Sequence, residues 1–175
     1  MSAPSPGGTD ETCPACGFVW SAVAAPEIGE RTVAGVAAIA ARLRDGDAAA
    51  VTARPSPERW SALEYGCHVR DVLYMLRDRT VIGLVEDTPS FAPMYRDHRV
   101  DLGLYAADEP AVVADELRLA AALFARTFAA LDDDQLARPC TYAWPTSHVR
   151  SLLWMAQQAV HEVEHHRADV EENLA

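Results

Sequence analysis

Over residues 161–170 the chain reads HEVEHHRADV, and two metal-binding registers are threaded through that stretch. His161 and His165 form a literal H-E-x-x-H string, the spacing by which zinc peptidases place two imidazoles on one helix face beside a glutamate. Glu162 and His166 form a second pair with the same spacing, shifted by one residue. Side chains at i and i+4 lie one above the other on a helix, so either pair can reach a single ion. Far away in sequence, Cys13-Pro14-Ala15-Cys16-Gly17 has the form of one knuckle of a zinc ribbon, in which two thiolates grip one ion.

Helical phase separates the two registers. At about 100° per residue, with Val163 as zero, Leu152, Ala156, Ala159 and Val170 gather around Val163 and mark the face that packs. His166 falls at about −60° and Glu162 at about −100°, on the edge of that face, whereas His161 and His165 fall at about ±160°, opposite it. The inward register is therefore Glu162 and His166. His161 and His165 are expected to be solvated unless another element covers them, and they remain the second-choice register. His68 supplies a third ligand, since it shares an inward-leaning edge with Val72 and Met75 at i+4 and i+7. Two histidines and a carboxylate leave coordination positions open, as in a catalytic site.

These residues require long helices to position them. Apolar residues at helical spacing follow Pro26 and stop at Gly46, which defines helix one. Ser61 with Glu64 three residues later fits a capping box, and helix two is expected to run from there to about Glu86. Residues 87–109 are irregular. Pro110 suits the first turn of helix three, and helix four is expected to start at a cap on Thr146 or Ser147. No strand-like alternation and no repeat stand out. The expected fold is all-α: a four-helix bundle over residues 27–175 with a long crossover between helices two and three, preceded by a flexible arm over residues 1–26 that carries the Cys-x-x-Cys knuckle.

Composition narrows the partners. Fifteen basic residues face 26 acidic ones, a net charge of −11, and this repels phosphate backbones. Nucleic acid is not an expected partner. No apolar run is long enough to span a membrane and no secretory signal is visible, so the expected compartment is the cytoplasm. A structural zinc wants four ligands, and no second Cys-x-x-Cys exists. The missing pair could come from Cys67, Cys140, His98, His148 or a second subunit; the alternatives are a redox dithiol or a remnant without function. Cys67 reads by default as a small apolar core residue. Tyr65, Met75, Trp154 and Met155 read as packing, Trp144 and His148 as lining of the site mouth, and Asp71 as either a partner for a ligand or a solvated carboxylate.

With Trp60, Ser61 and His68 in "RWSALEYGCHVRDV" and Glu162 and His166 in "EVEHHRADV", the sequence resembles the DinB-like superfamily of four-helix metalloproteins. That superfamily includes mycothiol- and bacillithiol-dependent transferases and mycothiol-dependent maleylpyruvate isomerase. The resemblance covers about residues 28–174, and glutamate in the first slot of the last helix is similar to the isomerase branch. It implies a divalent metal, zinc or else iron or nickel, on His68, Glu162 and His166. It also implies a small-molecule electrophile as substrate, with a low-molecular-weight thiol such as mycothiol as co-substrate, in a thiol transferase or isomerase. The knuckle at Cys13 and Cys16 is not part of the usual family core. Two rival readings share the scaffold: a thiol-independent biosynthetic isomerase, cyclase or oxidative enzyme, and a non-catalytic stress- or metal-sensing bundle. Related bundles often form homodimers.

Overall fold

The computed structural model describes residues 11–143 and 146–175; the expectations for residues 1–10 and for Trp144 lie outside them. Two short 3-10 turns (Trp20–Ala22 and Ala25–Glu27) lead into α1 (Ile28–Asp45), α2 (Ala48–Thr52) and α3 (Ala62–Val85). The crossover holds β1 (Ser90–Phe91) and α4 (Arg96–Asp101). Then follow α5 (Pro110–Ala129), α6 (Asp133–Leu136), β2 (Pro139–Tyr142), β3 (His148–Ser151) and α7 (Leu152–Asn173).

Local chemistry accounts for the long helices. The Ser61 hydroxyl accepts a hydrogen bond from the Glu64 amide at 3.2 Å, and the Glu64 carboxylate accepts one from the Ser61 amide at 2.8 Å. This reciprocal cap satisfies two amides that the helix cannot and starts α3 two turns before His68. Arg54 holds the same carboxylate in a two-pronged ion pair. Pro110 opens α5 as expected, because its missing N–H costs nothing in a first turn.

The four long helices form the bundle. α1 and α3 each pack on both α5 and α7 and touch each other much less, so these two sequence neighbours stand on a diagonal. Ile28, Ile39, Leu43, Leu63, Leu73, Leu76, Leu117, Phe124, Leu152 and Val163 are buried between them. Gly35 permits a close approach of α1 to α7, since a Cβ there would lie 2.5 Å from Val163 Cγ1. No helix among the described residues is long and apolar enough to cross a membrane.

Two expectations need correction. The chain does contain strands: β1 pairs in parallel with β2, and β2 pairs antiparallel with β3. They are too short, at two to four residues, for alternation to register in the sequence. For the same reason α7 is not capped at Thr146 or Ser147. Residues 148–151 are strand, and the cap is Ser151, whose hydroxyl accepts from the Trp154 amide at 3.0 Å. The sheet stitches the crossover to the α7 hairpin. A polar cluster fastens its other end: Asp71 receives Arg70, Arg99 and the Tyr105 hydroxyl, while Arg70 also reaches Asp108 and Glu116.

Ser61→Ala leaves the Glu64 amide without its partner, and urea denaturation should show a loss of about 1 kcal/mol in stability.

Candidate metal centre

α3 and α7 lie side by side, and this brings His68 to face Glu162 and His166. One donor atom from each of the three lies within 4.8 Å of the other two. His68 Nε2 stands 3.1 Å from Glu162 Oε2, and His166 Nε2 stands 3.3 Å from that same oxygen. Donors on one tetrahedral zinc with bonds of about 2.0–2.1 Å are about 3.3 Å apart, so this set fits a divalent ion with little rearrangement. His68 and His166 are buried, and Glu162 exposes 15% of its side chain.

The electrostatics suit a cation. Burial raises the Glu162 carboxyl, yet hydrogen bonds from His166 and His68 more than offset that and hold it well below the usual carboxylate range. Burial pulls His68 down, which keeps it a neutral ligand. Burial also opposes charge on His166, but hydrogen bonds to Asp169 and Glu162 win and push it up to about 8. His166 Nδ1 donates to Asp169 Oδ2 at 2.8 Å, the carboxylate–histidine arrangement that fixes the tautomer of a metal ligand. Gln158 Nε2 donates to the other Glu162 oxygen at 2.6 Å, and the Trp20 indole N–H donates to Gln158 Oε1 at 2.8 Å. His68 has no such support, since its Nδ1 is buried without a hydrogen-bond partner. Its ring is held instead by the edges of Trp60 and His166, at 5.4 and 4.9 Å.

A cavity of about 220 Å³ opens on His68 and Glu162. Val72, Met75, Pro93 and Met94 give it apolar walls, and Tyr142 closes one side. Burial, with the Glu162 charge second, pushes the Tyr142 phenol up, so it stays a neutral hydroxyl. Arg79 also lines the cavity. It donates to the Ala92 carbonyl and lies over the Phe91 and Tyr142 rings, and no carboxylate among the described residues pairs with it. Tyr95, on the lip, adopts the left-handed conformation at φ 55°, a strained backbone for a bulky side chain.

The remaining candidates lie elsewhere. His161 and His165 do face away from the inner centre, but His161 is covered there: Phe18 and Trp20 pack on it with ring centroids 5.2 and 4.7 Å away, while His165 is half-buried. Cys13 and Cys16 lie beside them. The alternative ligands for that knuckle do not reach it. The Cys67 thiol is buried 3.5 Å from Asp108, Cys140 is buried in β2 with its thiol pushed up to about 11, His98 lines the cavity, and His148 is engaged by Thr146. Asp71 belongs to the crossover cluster and not to the metal centre. Tyr65 stacks on His166 at 5.1 Å. Sequence reasoning missed Asp169 and Gln158, although both lie one helical turn from a ligand and i+3, i−4 spacing could have found them. It had no means of finding Arg79 or Tyr142, whose role depends on how the crossover folds back.

The sequence profile of the DinB superfamily matches residues 30–170, and the chain belongs to that superfamily. Two solved structures share its fold. YfiT from Bacillus subtilis, described as a probable metal-dependent hydrolase with an unusual four-helix bundle topology, is 17% identical with a TM-score of 0.71, covering 83% of this chain and 85% of its own. The mycothiol-dependent maleylpyruvate isomerase is 16% identical with a TM-score of 0.69, covering 86% of this chain and 62% of its own. No curated protein sequence matches this chain at a significant level.

Metal binding requires His166 to lose its proton. Below about pH 8, where the ion-free imidazole is charged, affinity at this centre should fall by up to about tenfold per pH unit, with release of one proton per ion. Asp169→Asn removes the main support for that charge, so the knee of the affinity–pH curve should move to lower pH in calorimetric titrations.

Proposed function

We propose that this protein is a metal-dependent enzyme in which a low-molecular-weight thiol, mycothiol being the expected one, attacks a small carboxylate-bearing electrophile, as a thiol transferase or isomerase. The observation that carries this reading is the cavity itself. It opens on His68 and Glu162, is walled mainly by apolar side chains, and is lined by a guanidinium, Arg79, that no carboxylate among the described residues pairs with. The fold is shared both with a mycothiol-dependent isomerase and with a protein described as a probable hydrolase, so the choice of thiol over water rests on the apolar cavity and on the resemblance of Glu162 to the isomerase branch.

A divalent ion on His68, Glu162 and His166 would supply Lewis acidity and lower the pKa of a thiol or water that reaches it. The chain's own residues do the rest. Arg79 offers a charge-assisted hydrogen bond to a carboxylate, and burial makes that interaction stronger than it would be in water. Val72, Met75 and Met94 exclude water around the reacting carbon, which favours sulfur over hydrolysis. Tyr142, kept neutral, can donate a proton or a hydrogen bond to charge that develops on the substrate as the S–C bond forms. In a transferase the adduct is released. In an isomerase the S–C bond breaks again after rotation about the former double bond, and the thiol is returned.

The test is a panel of carboxylated and neutral electrophiles incubated with thiol and metal-loaded protein. Conjugation or isomerisation that requires the ion is expected, and hydrolysis without thiol consumption would instead assign water as nucleophile. Arg79→Met should raise KM for carboxylated substrates by about ten- to a hundredfold while sparing neutral analogues, the worth of one charged hydrogen bond of about 1.5–3 kcal/mol.

A further inference from the structure

His161 and His165 lie on the side of α7 that the inner centre does not use, and the N-terminal segment has folded across them. Cys13, Cys16, His161 and His165 each place one donor atom within 4.8 Å of the other three. We infer that these four residues form a second metal site, a structural zinc centre that clasps residues 13–20 onto α7.

The cysteine half is built as a knuckle. The Cys13 amide donates to the Phe18 carbonyl and the Gly17 amide to the Cys13 carbonyl, both at 2.8 Å. Thr12 and Val19 bridge the base of the turn, and Gly17 takes φ 74°, a conformation that suits a residue without Cβ. Burial pushes the ion-free Cys16 thiol up, and the Phe18 amide at its sulfur opposes that shift. The histidine half comes from adjacent turns of α7, at the i,i+4 spacing that converges two imidazoles on one point.

A second observation calls for a ligand. Both ring nitrogens of His161 and Nδ1 of His165 are buried without a hydrogen-bond partner. Unpaired buried polar atoms are costly, and a metal bond satisfies one on each ring. The other nitrogen of His165, Nε2, lies 3.7 Å from Asp169 Oδ2, which leaves Nδ1 as the donor directed at the ion. A redox dithiol would account for the two cysteines, which are both free, but not for two imidazoles brought against them.

The chemistry differs from that of the inner centre. Two thiolates and two neutral imidazoles balance a divalent charge and complete a tetrahedral shell with no open position, the hallmark of a structural site. Phe18 and Trp20 cover it. The HEVEHH segment thus serves two ions, with positions 161 and 165 facing outward to the knuckle and 162 and 166 facing inward to His68. The two centres also share supports. Asp169 Oδ2 stands between His165 and His166, and Trp20, pinned by the clasp, holds Gln158 against Glu162.

Elemental analysis of the whole chain, reduced and purified with zinc, tests this. Two ions per chain are expected in the wild type, one in Cys13→Ser/Cys16→Ser, and one, still held, in His68→Ala. Cobalt reconstitution should give a thiolate-to-cobalt charge-transfer band in the wild type and in His68→Ala, absent from the cysteine variant. Should that variant fail to fold, the wild type alone decides. Cys16 is exposed, so alkylation of it should be blocked by zinc and restored by chelator. A single ion per chain with no thiolate–cobalt band, or Cys16 alkylated equally with and without zinc, would overturn the site. None of these readouts depends on the enzyme reaction.

Discussion

A carboxylate pressed between two buried imidazoles is the interaction on which this molecule is organised. Glu162 has one oxygen within 3.1–3.3 Å of His68 and His166 and the other held by Gln158. Burial alone would drive its proton back on, and only the surrounding donors keep it charged. A buried charge of this kind is tolerated when it is paired and hydrogen-bonded, and the requirement propagates outward. α3 must be capped so that His68 arrives in phase, α1 must approach α7 closely enough at Gly35 to leave Val163 in the core, and Asp169 must orient the second imidazole.

The crossover converts that buried centre into a site. If residues 86–109 left the bundle freely, His68 and Glu162 would lie open to water. Pairing of β1 with β2 and the cluster around Asp71 hold the segment down at both ends. The result is a cavity with His68 and Glu162 at its base, an apolar wall, and Arg79 and Arg96 in its lining. Two solved bundles with the same fold, one described as a hydrolase and one an isomerase, show how little the helices themselves decide about the reaction. The lining residues carry that decision.

The N-terminal segment reaches the centre through Trp20, which holds Gln158 against Glu162, and its Cys13 and Cys16 lie beside His165, which shares Asp169 with His166. Its position is set further by Glu11, which accepts from Arg150 and from the Trp154 indole. α7 is therefore contacted on its inner side by the bundle and on its outer side by a separate piece of chain. That explains how the short stretch 161–166 can carry donor atoms that face two separate places, His161 and His165 toward Cys13 and Cys16, Glu162 and His166 toward His68.

Whatever obeys helical periodicity was legible in the sequence. The capping box at Ser61, the proline at the start of α5, the packing stripe around Val163 and the inward phase of Glu162 and His166 all follow from a repeat of 3.6 residues, which acts over a few positions and needs no knowledge of the fold. The same reasoning sent His161 and His165 outward correctly, yet it could not say what would meet them. It offered Cys67, Cys140, His98 and His148 as partners for the knuckle, and the fold supplies none of these. Strands of two to four residues, the Ser151 cap, the placement of Arg79 in the cavity wall and the covering of α7 by Phe18 and Trp20 were decided only by tertiary structure. Each depends on which distant segments close on one another, and that is settled by the packing of whole elements, with side-chain phase along any one of them silent on the matter.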